Sequence, residues 1–358
     1  MPDFQQRIEL LRAHFEKKKI DGILTSYLPH VQYLSGFSGS NGLLFITRKK
    51  VIFFSDFRYK EQSRKEVTAD EKIFSQESLF SEAAKKNSKL KISKIGFEAE
   101  YLTCSALNNV KEYFFRVKFI PVHGIVEKLR AVKTEDEIEH LKRAINISDS
   151  VFSKILGIIK PGISENDISA EISYWHRRFG ASGEAFDTIV ASGFRGALPH
   201  GNAGAKKIAK GEFITLDYGC VYNGYHSDMT RTIAVGRPTA EMKKVYAVVL
   251  EAQQRACDYA KAGVSTKSVD ETARQIIARK GYGKYFGHSL GHGIGLEIHE
   301  LPRLSLKSKE VLIPGHVITI EPGIYLPKKF GVRIEDGCVV RENGIEILTT
   351  SPKELIIL

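Results

Sequence analysis

Apolar side chains recur at helical spacing over residues 3–19, where Ile8, Leu10, Leu11 and Phe15 stand among charged neighbours. Short β-rich runs follow. Gly22-Ile-Leu-Thr reads as a strand, and 42–47 with 51–55 read as a hairpin joined by the polar step Arg48-Lys49-Lys50. A further strand is expected over 95–98 and a helix over 106–115. The rhythm then changes. Thr134-Glu-Asp-Glu137 is a capping box, in which each end residue can satisfy the other's free amide. It opens a long helix that reaches Ile159 and stops at Pro161-Gly162. A second helix is expected over 164–179, then glycine-rich strands, helices over 239–262 and 266–280, and a last glycine-rich strand set. This pattern predicts two domains. Residues 1–125 form a small α/β domain, and in 126–358 helices pack on one face of a curved, mainly antiparallel sheet.

Composition narrows the class. At 358 residues, 42% hydrophobic and 27% charged, the chain has the make-up of an ordinary soluble protein with a large core. No run approaches the 18 or so consecutive apolar residues that span a bilayer, and residues 1–19 lack the apolar run of a secretory leader. The four cysteines (Cys104, Cys220, Cys257 and Cys338) show no CxxC spacing and read as reduced thiols of a cytoplasmic enzyme. The net charge of +11 comes from scattered lysines in short runs such as Lys17-Lys18-Lys19. No nucleic-acid-binding motif accompanies them, so they read as solvated surface and not as a nucleic-acid partner site.

The densest chemistry lies in Asp217-Tyr-Gly-Cys-Val-Tyr-Asn-Gly-Tyr-His-Ser-Asp228. Asn223-Gly224 is the strongest short hairpin signal, because a type I′ turn needs two residues that tolerate positive φ. With that turn, Tyr222 pairs with Tyr225, Gly219 with Asp228 and Asp217 with Thr230. Asp217 and Asp228 then share one face as diagonal neighbours, roughly 7 Å or less apart. Two such carboxylates repel each other unless a cation lies between them, and oxygen-rich sites suit hard or borderline divalent metals.

Downstream, His288, His292 and His299 stand in a glycine-rich run whose glycines favour extended backbone over helix. Glu321 and Glu335 each end an alternating apolar strand, and Arg333 shares a face with Glu335. Leu198-Pro-His-Gly201 adds His200 just before the strand of Asp217. Four carboxylates and an imidazole suit two divalent cations.

The motifs Phe186-Asp-Thr-Ile-Val-Ala-Ser-Gly, Asp217-x10-Asp228-Met-Thr-Arg-Thr, Gly287-His-x3-His-Gly-Ile-Gly-x3-His-Glu, Glu321-Pro-Gly and Arg333-Ile-Glu335-Asp resemble the creatinase/methionine aminopeptidase ("pita-bread") superfamily. Tyr33-Leu-Ser-Gly-Phe-Ser-Gly and Ser55-Asp-Phe-Arg-Tyr resemble the creatinase-type N-terminal domain of its aminopeptidase P and prolidase branch. The resemblance implies a creatinase-like domain over 1–125 and a pita-bread catalytic domain over 126–358. It implies two metal ions on Asp217, Asp228, His292, Glu321 and Glu335, with Asp228 and Glu335 bridging both. Manganese is the first choice, with cobalt, zinc or iron as alternatives.

It also implies that His200, His288 and His299 line the substrate site and that Arg333 supports a ligand carboxylate. Glu321 then moves the proton, while His288 and His299 donate to the carbonyl oxygen. The implied substrates are peptides with proline in the second position, and the implied assembly is a homodimer. Features of the first domain favour aminopeptidase P. Arg303, resembling the arginine with which prolidases grip the proline carboxylate, keeps an Xaa-Pro dipeptidase as the alternative. A metal-free binding module of the same fold is the remote one, against which the intact ligand set stands.

Overall fold

The computed structural model describes residues 3–358. The chain forms two compact units, one up to Arg130 and one from Ala131 onward, so the helix Ile125–Ala131 runs across the division expected after residue 125.

The first unit is built on one six-stranded sheet in the order Glu71–Phe74, Val51–Ser55, Gly42–Thr47, Gly22–Thr25, Lys94–Glu98, Lys118–Val122. The expected hairpin is present, with Leu43 opposite Phe54 and Phe45 opposite Ile52. Every residue of its two strands is buried, as in a strand covered on both faces. The helix expected over 3–19 is in fact two, Phe4–Arg12 and Phe15–Lys18; Lys19, in the left-handed region at φ 56°, closes the second.

The second unit opens on the capping box. Glu137 N donates to Thr134 Oγ1, and Thr134 N donates to Glu137 Oε2 at 3.0 Å, so both free amides are satisfied as the spacing requires. The helix Glu135–Leu156 ends at Gly157, slightly earlier than the apolar pattern alone suggests. With Glu165–Arg178 it buries Val151, Phe152, Ile155, Ile168 and Ile172 against Ile214, Leu216 and Ile233 of the strands Glu212–Tyr218 and Met229–Val235. A second helix pair, Ala240–Tyr259 and Thr266–Arg279, buries Val245, Val249, Val269 and Ile277 in a cluster with Ile318, Ile320 and Val340. Each fully buried side chain of this kind stabilises the fold by about 1.5–3 kcal/mol relative to exposure.

All strand pairs of this unit are antiparallel. One sheet runs Met229–Val235, Glu212–Tyr218, Ile189–Ser192. Another runs Glu300–Leu304, Gly291–Gly293, Val317–Ile320, Asp336–Arg341, Gly344–Ile347, and Gly323–Leu326 pairs with Phe330–Arg333. The four cysteines are free thiols, Cys104 exposed and the others buried. Among the described residues, no helix is long and apolar enough to cross a membrane.

Candidate metal centre

Asn223 and Gly224 both take positive φ, 50° and 84°, and close the two-residue turn that their chemistry favours. Tyr222 faces Tyr225 and Asp217 faces Thr230, which is the expected register. The ladder opens between these two points, at Gly219 and Asp228. Ser227 fills the gap: its N donates to Cys220 O and its Oγ accepts from Cys220 N, both at 2.9 Å. Asp217 and Asp228 are both buried.

His292 enters from the strand Gly291–Gly293. Neighbouring main chain passes so close there that a Cβ at residue 291 would lie 2.0 Å from Thr319 O. Glycine is therefore required beside this histidine. Its Nδ1 faces its neighbour's carbonyl, Gly293 O, at 3.1 Å, which leaves Nε2 directed at the carboxylates. That Nε2 lies 3.4 Å from Asp228 Oδ2 and 3.4 Å from Glu321 Oε1. Asp228, His292 and Glu335 each present a ligand atom within 4.8 Å of the others.

The remaining expected residues converge on the same cavity, of about 470 Å³. Asp217, Glu321 and Arg333 line it with the trio, as do His200, His288, His299 and Arg303. Glu321 follows the strand Val317–Ile320, and Glu335 lies in the short link between Phe330–Arg333 and Asp336–Arg341. Arg333 is buried and donates Nη2 to Asp217 Oδ2, Nη1 to the Tyr325 hydroxyl at 2.7 Å and Nε to Thr230 Oγ1 at 3.0 Å. Thr230 in turn donates to Glu335 Oε2 at 2.7 Å.

Both ring nitrogens of His288 are engaged. Nδ1 faces Ser289 O at 2.8 Å, and Nε2 faces the Tyr325 hydroxyl at 2.9 Å. A donor role toward substrate would require the Tyr325 contact to be exchanged. The His299 ring packs edge-on to His292, with centroids 4.3 Å apart.

Electrostatics test whether a cation fits. Burial pushes Asp217 up, against the pull of Arg333, and pushes Asp228 up to about 7. Burial together with the charges of Asp228 and Glu321 raises Glu335 well above the carboxylate range. Glu335 Oε1 is buried with no hydrogen-bond partner among the described residues. Clustered carboxylates that retain protons, together with an orphaned carboxylate oxygen and an imidazole nitrogen turned toward them, are what a divalent cation would satisfy. The donor set fits.

Sequence reasoning missed Thr230, Tyr325 and Thr319, whose hydroxyl accepts from His292 N at 3.1 Å. Thr230 was within reach, because the hairpin register places it opposite Asp217. Tyr325 lies in an apolar strand with no local signal.

Two family profiles match the chain: Metallopeptidase family M24 over residues 139–342 and the Creatinase/Prolidase N-terminal domain over 7–132. The chain is similar to the solved Xaa-Pro dipeptidase from Bacillus anthracis, at 48% identity and TM-score 0.97, covering 99% of this chain and 100% of that one. It is also similar to the X-Pro aminopeptidase from Thermotoga maritima MSB8, at 41% and TM-score 0.91, covering 95% and 98%. Among curated relatives, the Xaa-Pro dipeptidase of Pyrococcus furiosus is 40% identical over 98% of this chain and 100% of its own. With these motifs converging on one buried carboxylate site, the chain belongs to the pita-bread Xaa-Pro peptidases of metallopeptidase family M24, enzymes that work with divalent metal ions.

Proposed function

We propose that this enzyme is an Xaa-Pro dipeptidase. This departs from the aminopeptidase P reading that the first-domain motifs favour. The observation that carries it is Arg303: it lines the same cavity as the carboxylate site, within reach of a substrate bound there, and dipeptidases stand among the most similar relatives. A dipeptide ends in a carboxylate one residue beyond the scissile bond, and a guanidinium is suited to grip it. The aminopeptidase reading retains support from the Thermotoga maritima protein.

Asp217, Asp228, His292, Glu321 and Glu335 would hold two divalent ions. Manganese suits a set with four oxygen donors out of five; cobalt, zinc and iron suit it as well. Bound there, the ions supply Lewis acidity that lowers the pKa of water and polarises the peptide carbonyl.

The protein's own groups do the rest. Glu321 takes the proton from attacking water and delivers it toward the proline nitrogen, which has no N–H and leaves only once protonated. Covering of its ring, and then the neighbouring His292, lower the pKa of His299, so it stays a neutral N–H donor for the developing oxyanion. His200, which lines the cavity, is a second contact for substrate, and His288 is the third histidine of its lining. Arg333 donates to Asp217, orients its carboxylate and opposes the rise that burial imposes on its pKa. A homodimer, a cytoplasmic setting and a domain division near residue 125 complete this reading.

The test uses metal-stripped and manganese-reloaded protein with an Xaa-Pro dipeptide and with the same pair extended by two or three residues. Metal-dependent cleavage confined to the dipeptide supports the proposal. Cleavage of the longer peptide restores aminopeptidase P, and cleavage of neither, with metal bound, overturns both. Light scattering of the purified protein tests the homodimer.

A further inference from the structure

Glu165 is the first residue of the helix Glu165–Arg178, and its side chain is fully buried. Its carboxylate accepts four hydrogen bonds. Ser192 N and Ser192 Oγ reach Oε1, each at 2.8 Å, while Arg195 Nε at 2.9 Å and Gly204 N at 3.2 Å reach Oε2. The helix end adds two more ties, from Glu165 N to Lys206 O at 3.0 Å and from Asn166 N to Gly204 O at 2.9 Å. Arg195 then donates Nη2 to Asn202 O at 2.6 Å. A buried carboxylate with every lone pair used is a stiff junction, because losing any donor strands charge in a low-dielectric interior.

The anchor points are what give this junction a consequence. Ser192 and Gly204 are the two ends of a segment that carries Pro199, His200 and Asn202, all three in the wall of the cavity. The segment touches the carboxylate site through Pro199 O, which accepts from Arg333 Nη1 at 3.3 Å. His200 itself is exposed, so packing does not fix it; its place depends on where the segment is held.

We infer that Glu165 is a positioning residue: it clamps both ends of the segment 192–204 and thereby sets His200 over the substrate site. The inference rests on the Xaa-Pro peptidase reading only for its kinetic consequence. Removing the clamp leaves the metal ligands untouched and loosens His200, so substrate capture suffers and metal binding does not. A purely structural glutamate would lower stability without acting through His200.

The experiment compares wild type, E165Q, H200A and the double variant, with R195M as a milder break of the same junction. Calorimetric titration with manganese is expected to give unchanged affinity in E165Q. KM for an Xaa-Pro dipeptide is expected to rise about 10- to 100-fold with a smaller change in kcat, and E165Q is expected to add nothing further in the H200A background. An equal loss in both backgrounds, or an unchanged KM, overturns the inference. Should E165Q fail to fold, R195M in the same cycle decides by the same criteria. Hydrogen exchange separates this failure from that of the functional reading. Faster exchange of the Ser192 and Gly204 amides in the variant supports the clamp even if the wild type cleaves no Xaa-Pro peptide, and unchanged exchange overturns it.

Discussion

Thr230 donates its hydroxyl to Glu335 Oε2 across 2.7 Å, and this contact ties the aspartate hairpin to the late strand link. Thr230 Oγ1 also accepts from Arg333 Nε at 3.0 Å, so a neutral side chain relays between a guanidinium and a carboxylate. Replacing Thr230 with alanine removes both contacts. T230A is expected to lose about 10- to 100-fold in metal affinity, and T230S to keep most of it. Calorimetric titration with manganese reads both.

Bound metal should be visible as stability. A ligand that binds only the folded state stabilises it by about 2.7 kcal/mol at one hundred times its dissociation constant. Chelation is therefore expected to lower Tm, and manganese to restore it. In E335Q the manganese-dependent shift should shrink or vanish, because a neutral amide cannot become the carboxylate that this group of ligand residues would offer the ion. A thermal scan with and without chelator checks it.

Arg303 separates substrates by their C-terminus. R303A should raise KM for an Xaa-Pro dipeptide by about 10- to 100-fold, the size of a lost hydrogen bond to a charged group. The same substitution should barely change any activity on a longer peptide, whose carboxylate lies elsewhere. Equal losses on both would assign Arg303 to general cavity structure.

Arg231 is almost wholly buried and donates to Asp336 Oδ1 at 2.8 Å, Ser351 O at 2.7 Å and Pro352 O at 3.0 Å, and also to Glu335 O. Removing Arg231 leaves Asp336 Oδ1 and these carbonyls without their donor, although Lys353 still pairs with Asp336 Oδ2 at 2.7 Å, and each buried group so stranded costs about 1–3 kcal/mol. R231M is expected to destabilise by that order in urea unfolding, although it touches no substrate.

His316 sets a pH dependence of stability. Burial, and then the nearby Lys133 charge, push its pKa down from 6.5 to about 4, while its Nδ1 accepts from Ile313 N at 3.3 Å. The unfolded chain therefore binds a proton near pH 6.5 that the folded one refuses until about pH 4. The sign follows: stability is full above pH 6.5 and falls as pH drops toward 4. At pH 5 the loss is about 2 kcal/mol. Urea midpoints of wild type and H316Q at pH 7 and pH 5 should converge as pH falls.

The sequence by itself determined whatever depends on neighbours along the chain. Helix starts at Thr134, Ser164 and Thr239 follow from side chains that reach an amide three residues on. The Asn223-Gly224 turn sets the register of Asp217 against Thr230, since a two-residue loop leaves no freedom to slip. Only the tertiary structure decided how these pieces meet. Arg333 reaches back to Asp217, Thr230 to Glu335, and Glu165 to Ser192 and Gly204, across stretches of chain over which no periodicity carries information. Tyr325 has an ordinary place in an apolar strand and acquires its role from what packs above it. The choice between two substrate lengths is of the same kind. It depends on where one guanidinium lies relative to a carboxylate site built from other strands, and distance through space is not encoded in spacing along the chain.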